Sequence, residues 1–272
     1  MSKNLNLYPF SLVFNKTYNG APFFASFPFI IDDNPVTEIA CGISSIYAGD
    51  MKNDAGNKNR SVLFTELGLN PASVCGLKQI HSQTVLTVDS KNMPLSEADG
   101  LVTKDSGIVL SVTVADCLPV FLLDAKTGSF GIVHSGWKGT GIVTGALNQM
   151  NKNWGTKPSD VAAVLGPCID SCCYKVDAQR ASLFKEKFGS QSVREFMLYD
   201  APQYFPWIAS SPEAGKDYYL DLKAANIKLL EEAGVRNICV CEDCTFTDER
   251  LGSFRREGDE FTRMASLVGT IS

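Results

Sequence analysis

The chain has 272 residues, of which 44% are hydrophobic and 20% charged, with a net charge of −5 and a pI near 5.2. This composition is typical of a soluble globular protein that is long enough to bury a sizeable core. The acidic balance argues against a general nucleic-acid-binding protein, because such a protein needs a basic face for the phosphates. The longest apolar stretches, residues 23–31 and 108–123, are interrupted by polar residues, so we expect no membrane span.

The first fifteen residues, MSKNLNLYPFSLVFN, contain neither a cationic leader with a long apolar core nor a small-residue cleavage site. Nine cysteines without an export signal predict a reducing compartment. We therefore expect a cytoplasmic protein whose cysteines are thiols or metal ligands rather than disulfides.

The pattern of apolar residues along the chain predicts a mixture of strands and helices. Two polar segments, NDAGNKNR at 53–60 and SSPEAGK at 210–216, are predicted to be connections. Short apolar or β-branched runs predict strands at 84–88, 108–114, 119–123, 129–134, 161–165 and 237–241. Helical spacing predicts helices at 141–154, with Thr140 as N-cap, at 177–188, and at 221–233, followed by Gly234.

Strands and helices do not alternate strictly in this order. The prediction is therefore an α+β protein, with mixed β-sheets flanked by helices, rather than a doubly wound parallel sheet. We found no internal repeat and no long linker, so residues 1–272 are expected to form one domain. The sequence leaves the oligomeric state open.

The chain has only two histidines, and both lie beside predicted strands. His81 precedes the strand at 84–88, and His134 closes the strand at 129–134. Cys117 occupies the short irregular centre of VADCLPV, between two apolar runs. Side chains at strand ends or breaks meet at the rim of a sheet, and an interruption inside a buried apolar run costs stability unless it is compensated.

Two imidazoles and one thiolate form a natural zinc-binding set, and three protein ligands leave a fourth position for water or substrate. The three residues are separated by long stretches, however, and no short ligand motif supports them. A histidine beside a strand is more often an ordinary hydrogen-bonded residue, and a buried cysteine is more often a small apolar one. The spacing alone leaves both interpretations open.

Six short motifs occur in a characteristic order: QIHS, ADGLVT, VTVADCLPV, VHSGWKGT, GPCIDSCCYKV and SFRREG. From about residue 77 to the C-terminus the sequence resembles the YfiH family of bacterial proteins. These are also called laccase-domain or polyphenol-oxidase-like proteins, and their animal relative is the purine nucleoside enzyme FAMIN. The resemblance implies a fold of the YfiH-like type, which is related to that of a cytotoxic necrotizing factor.

The resemblance also implies one zinc per chain, bound by His81, Cys117 and His134, which would be the catalytic centre. It implies a purine nucleoside phosphorylase that acts on adenosine, inosine, guanosine and methylthioadenosine, together with adenosine deaminase activity. The expected partners are thus purine nucleosides and phosphate, with no nucleic acid and no membrane.

Phosphate needs cationic and N–H donors. The turn HSGWKGTG offers backbone N–H groups and Lys138 just before a predicted helix. Arg60 in NKNR and Arg256 in SFRREG are further candidates, because guanidinium groups match phosphate geometry. Each of these residues is also explained as a solvated surface charge. Trp137 is a candidate for stacking on a base, with packing as the alternative.

Three other functions compete with zinc-dependent nucleoside chemistry. A copper oxidase (laccase) ranks low, since a multicopper centre needs many imidazoles and the chain has two. A thiol hydrolase or deamidase would use Cys117 as nucleophile and His134 as base, but it gives His81 no task. A non-enzymatic binding protein with a structural zinc would normally have four protein ligands.

The remaining cysteines include two triplets, which are Cys168, Cys172 and Cys173, and Cys239, Cys241 and Cys244. Adjacent residues of a strand point to opposite faces, so neither triplet makes a good metal cage by itself. We expect most of these residues to be ordinary buried thiols.

Overall fold

A computed structural model of the chain describes residues 5–54, 56–89, 95–197 and 215–271. These residues form sixteen strands and five α-helices, and the predicted α+β class is confirmed. The strands are β1 (Asn6–Phe10), β2 (Lys16–Tyr18), β3 (Ala21–Ile31), β4 (Asn34–Ser44), β5 (Val74–Cys75), β6 (Val85–Thr87), β7 (Gly100–Thr103), β8 (Val109–Val114), β9 (Leu118–Asp124), β10 (Ser129–Ser135), β11 (Val161–Leu165), β12 (Lys175–Val176), β13 (Val193–Met197), β14 (Lys216–Leu220), β15 (Asn237–Cys241) and β16 (Met264–Gly269).

The helices are α1 (Lys58–Glu66), α2 (Ile142–Trp154), α3 (Ala178–Phe188), α4 (Leu222–Ala233) and the single-turn α5 (Phe254–Glu257). In the described part of the chain, no helix is both long and apolar enough to cross a bilayer.

Within the described ranges the strands build a seven-stranded sheet, a six-stranded sheet and a small three-stranded sheet. Their orders are β1-β15-β11-β9-β10-β7-β6, β2-β3-β4-β16-β8-β5 and β12-β14-β13. The large sheets pack face to face around one apolar core, where the rings of Phe27 and Phe121 meet edge to face with centroids 5.7 Å apart. Strand periodicity explains this core, because alternate residues of β9 point into it and the others point away.

Helices cover the outer faces of both large sheets. On the seven-stranded sheet, Leu118, Val120 and Leu122 of β9 pack in a second core with the apolar faces of α2, α3 and α4. On the six-stranded sheet, Leu63 and Phe64 of α1 pack in a third core. The mixed sheets flanked by helices are thus arranged as the sequence predicts.

The three predicted helices and the six predicted strands are present, and each of their ends lies within one residue of the predicted position. The predicted N-cap Thr140 is wrong: Gly141, with φ +112°, holds that position, and the Thr140 hydroxyl donates to the Gly136 carbonyl instead. The predicted connection at 53–60 is wrong in its last part, because α1 begins at Lys58 with Asn57 as its N-cap. Most of the predicted connection at 210–216 lies outside the described residues.

The connection between β8 and β9 decides where the functional residues lie. β8 belongs to the six-stranded sheet and β9 to the seven-stranded sheet, so residues 115–117 cross from one sheet to the other. Antiparallel pairing of β9 with β10 places Leu118 opposite Ser135. The register therefore brings Cys117 beside the turn that follows His134.

Candidate metal centre and cleft

His81, Cys117 and His134 converge at one end of the seven-stranded sheet. Their ligand atoms all lie within 4.8 Å of one another. The two imidazole rings meet edge to face with centroids 4.9 Å apart. His134 is buried, Cys117 half-buried and His81 exposed, so the set is closed on the protein side and open toward solvent.

Asp99 holds both histidine segments in place. It precedes β7, whose pairing with β10 brings it beside His134. Its Oδ1 lies 2.9 Å from His134 Nδ1 and accepts a 3.0 Å hydrogen bond from the His81 backbone N–H. Its Oδ2 accepts hydrogen bonds from the backbone N–H groups of Ile80 and Ser82 and from the Ser82 hydroxyl. One fully buried carboxylate thus fixes the ring of His134 and the loop that carries His81.

The electrostatics of the centre favour a thiolate. Burial by itself raises the pKa of Cys117, but the charges and hydrogen bonds of His134 and His81 lower it to about 7. Burial opposes the charged form of His134, yet Cys117 and Asp99 raise its pKa to about 9. Burial likewise disfavours ionised Asp99, while hydrogen bonds from His134 and Ser82 lower its pKa to about 2.

Gly136 supplies the space for the sulfur. A Cβ atom at this position would lie 2.7 Å from Cys117 Sγ and 3.5 Å from a ring carbon of His81. Real Cβ atoms essentially never approach a neighbour that closely. The glycine of HSGWKG is therefore required by the close approach of the backbone to the Cys117 sulfur, whereas the distance to His81 is an ordinary contact.

Two residues beside the centre adopt the left-handed backbone conformation that favours glycine. These are His81, with φ +58°, and Asp116, with φ +90°. Such conformations cost about 1–3 kcal/mol and persist where the surroundings fix them. Asp99 provides this for His81, and Asp116 is held through its carboxylate by the Thr245 hydroxyl at 2.7 Å and the Arg255 N–H at 2.7 Å.

The centre lies in a cleft with a volume of about 640 Å³. Besides His81, Cys117 and His134, its lining includes apolar and aromatic side chains and several cations. The aromatic residues are Trp137, Tyr174, Phe254 and Phe261, and the cations are Lys52, Lys78, Lys138, Arg180, Arg255 and Arg263. A concave site with apolar walls and a few convergent polar groups is typical of a small-molecule site.

Of the predicted phosphate-binding residues, Lys138 lines this cleft and the other two do not. Arg60 is a buried residue in the first turn of α1, where its guanidinium donates to the Met51 carbonyl and lies over the Phe64 ring, and burial lowers its pKa to about 10. Arg256 donates to several carbonyl oxygens, among them those of Thr245 and Leu251. Its role in these contacts is to fix the loop before α5.

Trp137 is engaged in packing as well as in the cleft. The Arg180 guanidinium lies 4.4 Å from its ring centroid and Lys138 Nζ lies 5.6 Å away. The indole also packs against the core beneath the helices. The face of Trp137 under Arg180 is therefore already covered.

Four residues of the site were not singled out from the sequence. Asp99, Arg180 and Arg255 are single polar residues, and their role depends on chain segments that only the folded structure brings together. Phe254 is half-exposed at the cleft, with its ring edge to face against Phe261 at 5.2 Å. The motifs ADGLVT and SFRREG contain three of these four residues, which was the available signal.

Comparison with known proteins identifies the family. The sequence model of a family described as multi-copper polyphenol oxidoreductase laccase matches residues 34–271. The chain belongs to this family.

Relatives in this family carry a different functional name. Purine nucleoside phosphorylase YlmD of Geobacillus stearothermophilus is 31% identical over 241 residues, which cover 82% of this chain and 81% of that protein. A purine nucleoside phosphorylase of Deinococcus radiodurans is 31% identical over 213 residues, 78% of this chain and 76% of the relative.

Solved structures of the family share the fold. The crystal structure of YlmD from Geobacillus stearothermophilus superposes with a TM-score of 0.73 at 26% identity, covering 90% of this chain and 97% of the other. The crystal structure of a Bacillus licheniformis protein called YfiH superposes with a TM-score of 0.72 at 24% identity, covering 93% and 99%. The resemblance to the YfiH family is thereby confirmed.

Proposed function

We propose that this protein is a zinc-dependent purine nucleoside phosphorylase that also deaminates adenosine. One observation carries the proposal: the His81, Cys117 and His134 side chains form an open three-ligand set on the floor of a cleft sized for a small molecule. The names of the relatives agree with nucleoside phosphorolysis. Adenosine, inosine, guanosine and methylthioadenosine are the proposed substrates, with phosphate as the second substrate.

The residues of the centre fit zinc. Two imidazoles and a thiol that favours ionisation form a borderline-soft donor set, and the Asp99–His134 contact leaves His134 Nε2 as the coordinating atom. When bound, zinc with one open position lowers the pKa of a water molecule and stabilises an oxyanion. These two effects suit deamination and phosphate attack, respectively.

The aromatic side of the cleft suits a purine base. Phe254 is exposed over about half of its surface and is braced edge to face by Phe261. A large apolar ring that remains exposed beside a cleft is well placed to stack on a base. We propose Phe254 as the base-stacking residue in place of Trp137, whose ring is partly covered by Arg180.

The cationic side of the cleft suits phosphate. Lys138 follows the glycine turn at the metal centre, Arg180 extends over Trp137, and Arg255 is held near Tyr174 with its guanidinium donating to the Lys175 carbonyl. These side chains compensate the charge of an anion that attacks the ribose. We retain Lys138 as a proposed phosphate ligand and add Arg180 and Arg255. Arg60 and Arg256 are not retained, because their contacts hold them outside the cleft.

The site also bears on the competing functions. Copper oxidase chemistry with a trinuclear cluster needs far more imidazoles than the two of this chain. A Cys117–His134 thiol enzyme is favoured by one specific observation, the depressed pKa of Cys117 beside a histidine that is oriented by Asp99. That arrangement gives no role to the strained His81 backbone. Zinc uses all three residues.

The test of the proposal combines metal analysis with product analysis. Purified protein is incubated with each nucleoside and with or without phosphate, and the free base, ribose 1-phosphate and deaminated nucleoside are separated and quantified. We expect the wild-type protein to release base in a phosphate-dependent reaction. Cys117→Ala should lose this activity and should bind about one zinc ion per chain fewer than the wild type. Cys75→Ala, which removes a thiol outside the centre, is the matched control. Base release that Cys117→Ala retains in full would refute the assignment.

A further inference from the structure

Three thiols from two distant segments meet outside the cleft. Cys172 and Cys173 lie in the turn after β11, and Cys244 lies after β15. Their sulfur atoms all lie within 4.8 Å of one another. This thiol cluster joins cysteines of the two triplets that the sequence presents separately. None of its members lines the cleft around His81, Cys117 and His134.

The topology explains why these segments meet. β11 and β15 are parallel neighbours, with Leu165 opposite Val240. The same parallel alignment continues past both strands, where Cys168 pairs with Cys244 in an isolated bridge. The turn at Cys172 and Cys173 then folds back over Cys244, and the backbone N–H of Cys173 donates to the Asp170 carbonyl. The cluster is thus built beyond the carboxyl ends of two neighbouring inner strands of the seven-stranded sheet.

The thiols are arranged as a donor set and not as a disulfide. The sulfur atoms of Cys172 and Cys173 are 3.1 Å apart, well beyond the S–S bond length of about 2.05 Å. The backbone N–H of Asp170 donates to Cys244 Sγ at 3.4 Å. Hydrogen bonds from Cys172 and Cys173 lower the pKa of Cys244, and hydrogen bonds with the other two thiols raise the pKa of Cys173.

The surroundings of the cluster attract cations. Cys172 and Cys244 open into a shallow depression on the surface. Its rim carries more carboxylates than cations: Asp170, Glu242, Asp243, Asp248, Glu249 and Arg250. A concave surface with this charge raises the local concentration of cations and repels anions.

We propose that Cys172, Cys173 and Cys244 bind a second zinc ion, distinct from the one in the cleft. Three thiolates select a soft or borderline ion over Mg²⁺ or Ca²⁺. When zinc binds, the thiols release their protons to solvent and three Zn–S bonds form. Two of the three proposed ligands, Cys172 and Cys244, also line the acidic depression. Neither the family description nor the names of the relatives assign a metal to these cysteines.

This ion would stiffen one wall of the cleft. Ile169 and Tyr174, on either side of the cysteine pair, line the cleft. The backbone N–H of Ile169 donates to the Asp116 carbonyl, and Thr245, next to Cys244, donates to the Asp116 carboxylate. A metal that joins the two segments would therefore fix Asp116, the residue before Cys117. Its role is structural and does not depend on which reaction the cleft performs.

The test counts zinc in four proteins. Wild type, Cys172→Ser, Cys117→Ser and the double variant are reduced, loaded with zinc, freed of excess metal and measured by mass spectrometry of the elements. Cys172 is the exposed member, so its substitution leaves the core intact. We expect about two zinc ions in the wild type, about one in each single variant and none in the double variant. Cys75→Ala should keep both. The proposal is overturned if the wild-type protein binds only one zinc ion and Cys172→Ser binds the same amount.

A second measurement observes the ligands directly. Co²⁺ replaces zinc in the Cys117→Ser protein, where the thiol cluster is the remaining site. Bonds between cobalt and thiolate give an intense near-ultraviolet charge-transfer band, which we expect to be present here and lost in Cys117→Ser with Cys244→Ser. The absence of that band overturns the proposal. The proposal is also overturned if mass spectrometry of the intact protein after zinc loading gives a mass two hydrogens below that of the reduced protein, because this loss shows a disulfide between Cys172 and Cys173.

Discussion

Asp99 and His134 form a buried contact of 2.9 Å between Oδ1 and Nδ1, and this contact organises the candidate metal centre. The register of β7 against β10 produces it, because the backbone N–H of His134 also donates to the Asp99 carbonyl at 2.7 Å. His134 is therefore held at its backbone N–H and at its ring Nδ1, which leaves Nε2 as the atom that would bind a metal. The same carboxylate accepts from the backbone of His81.

Asp99→Asn should weaken zinc binding at the cleft by about tenfold to hundredfold, the usual effect of removing a partner of a ligating histidine. The substitution replaces one carboxylate oxygen by an NH₂ group, which donates hydrogen bonds and cannot accept them from the N–H groups that contact Asp99. The segments that carry His81 and His134 would therefore lose their fixed positions. Competition with a chromophoric chelator measures the affinity. Asp124→Asn is the control, because Asp124 is an equally buried carboxylate that holds a turn far along β9. Equal affinities in the wild type and Asp99→Asn would contradict this role.

Gly136→Ala should displace the Cys117 sulfur, since the new Cβ would lie 2.7 Å from it. We expect loss of the cleft zinc and of activity, while circular dichroism shows a folded protein. Gly145→Ala in α2 is the control, because its nearest contacts would be at an ordinary 3.6 Å and alanine favours a helix by about 0.5–1 kcal/mol. If Gly136→Ala keeps its zinc, the backbone can move to accommodate the new Cβ atom, and the proposed requirement for glycine is wrong.

A chelator distinguishes zinc catalysis from thiol catalysis. With zinc in the cleft, chelation should abolish nucleoside turnover, and added zinc should restore it. If Cys117 is a nucleophile, alkylation of the metal-free protein should abolish turnover, while chelation alone should have no effect. The measurement is base release before and after each treatment, with Cys75→Ala treated in parallel. Turnover that survives chelation would favour the thiol enzyme.

Phe254→Ala should weaken nucleoside binding. Stacking of a base on an aromatic side chain is worth about 1–3 kcal/mol, so KM should rise about fivefold to hundredfold with a smaller change in kcat. Leu183→Ala is the control, since Leu183 is similarly exposed and lies on α3 outside the cleft lining. A KM that does not change in Phe254→Ala would return Trp137 to consideration as the stacking residue.

The sequence predicted the half of the fold that contains the functional segments better than the other half. The strands from 108 to 134 and the helix Leu222–Ala233 have strong periodicity and clear ends, and they are where they were predicted. The long hairpin of β3 and β4 was missed. Its first strand, APFFASFPFII, contains Pro28, and the structure accommodates this residue at a shift of register between Pro28 and Phe29.

Some residues of the candidate site could be predicted from the sequence and others could not. The convergence of His81, Cys117 and His134 could be predicted because histidine is scarce in this chain and because Cys117 interrupts an apolar run. The cations could not, because an arginine on a loop looks alike whether it lines a cleft or fixes a turn. Arg255 and Arg256 are adjacent in SFRREG, yet Arg255 lines the cleft and Arg256 is held by carbonyl oxygens. Only the path of the folded chain separates their roles.

Lys138→Gln should impair phosphorolysis more than deamination, because phosphate is a substrate of the first reaction and water of the second. A charge-assisted contact is worth about 1.5–3 kcal/mol, so phosphorolytic efficiency should fall about tenfold to hundredfold. Zinc content should be unchanged, and Lys138→Arg should recover part of the lost activity. Lys126→Gln, which removes an exposed lysine paired with Asp160, is the control. Arg256→Lys should depress both reactions together, because it disturbs the loop before α5. Equal losses of both activities in Lys138→Gln would exclude Lys138 as a phosphate ligand.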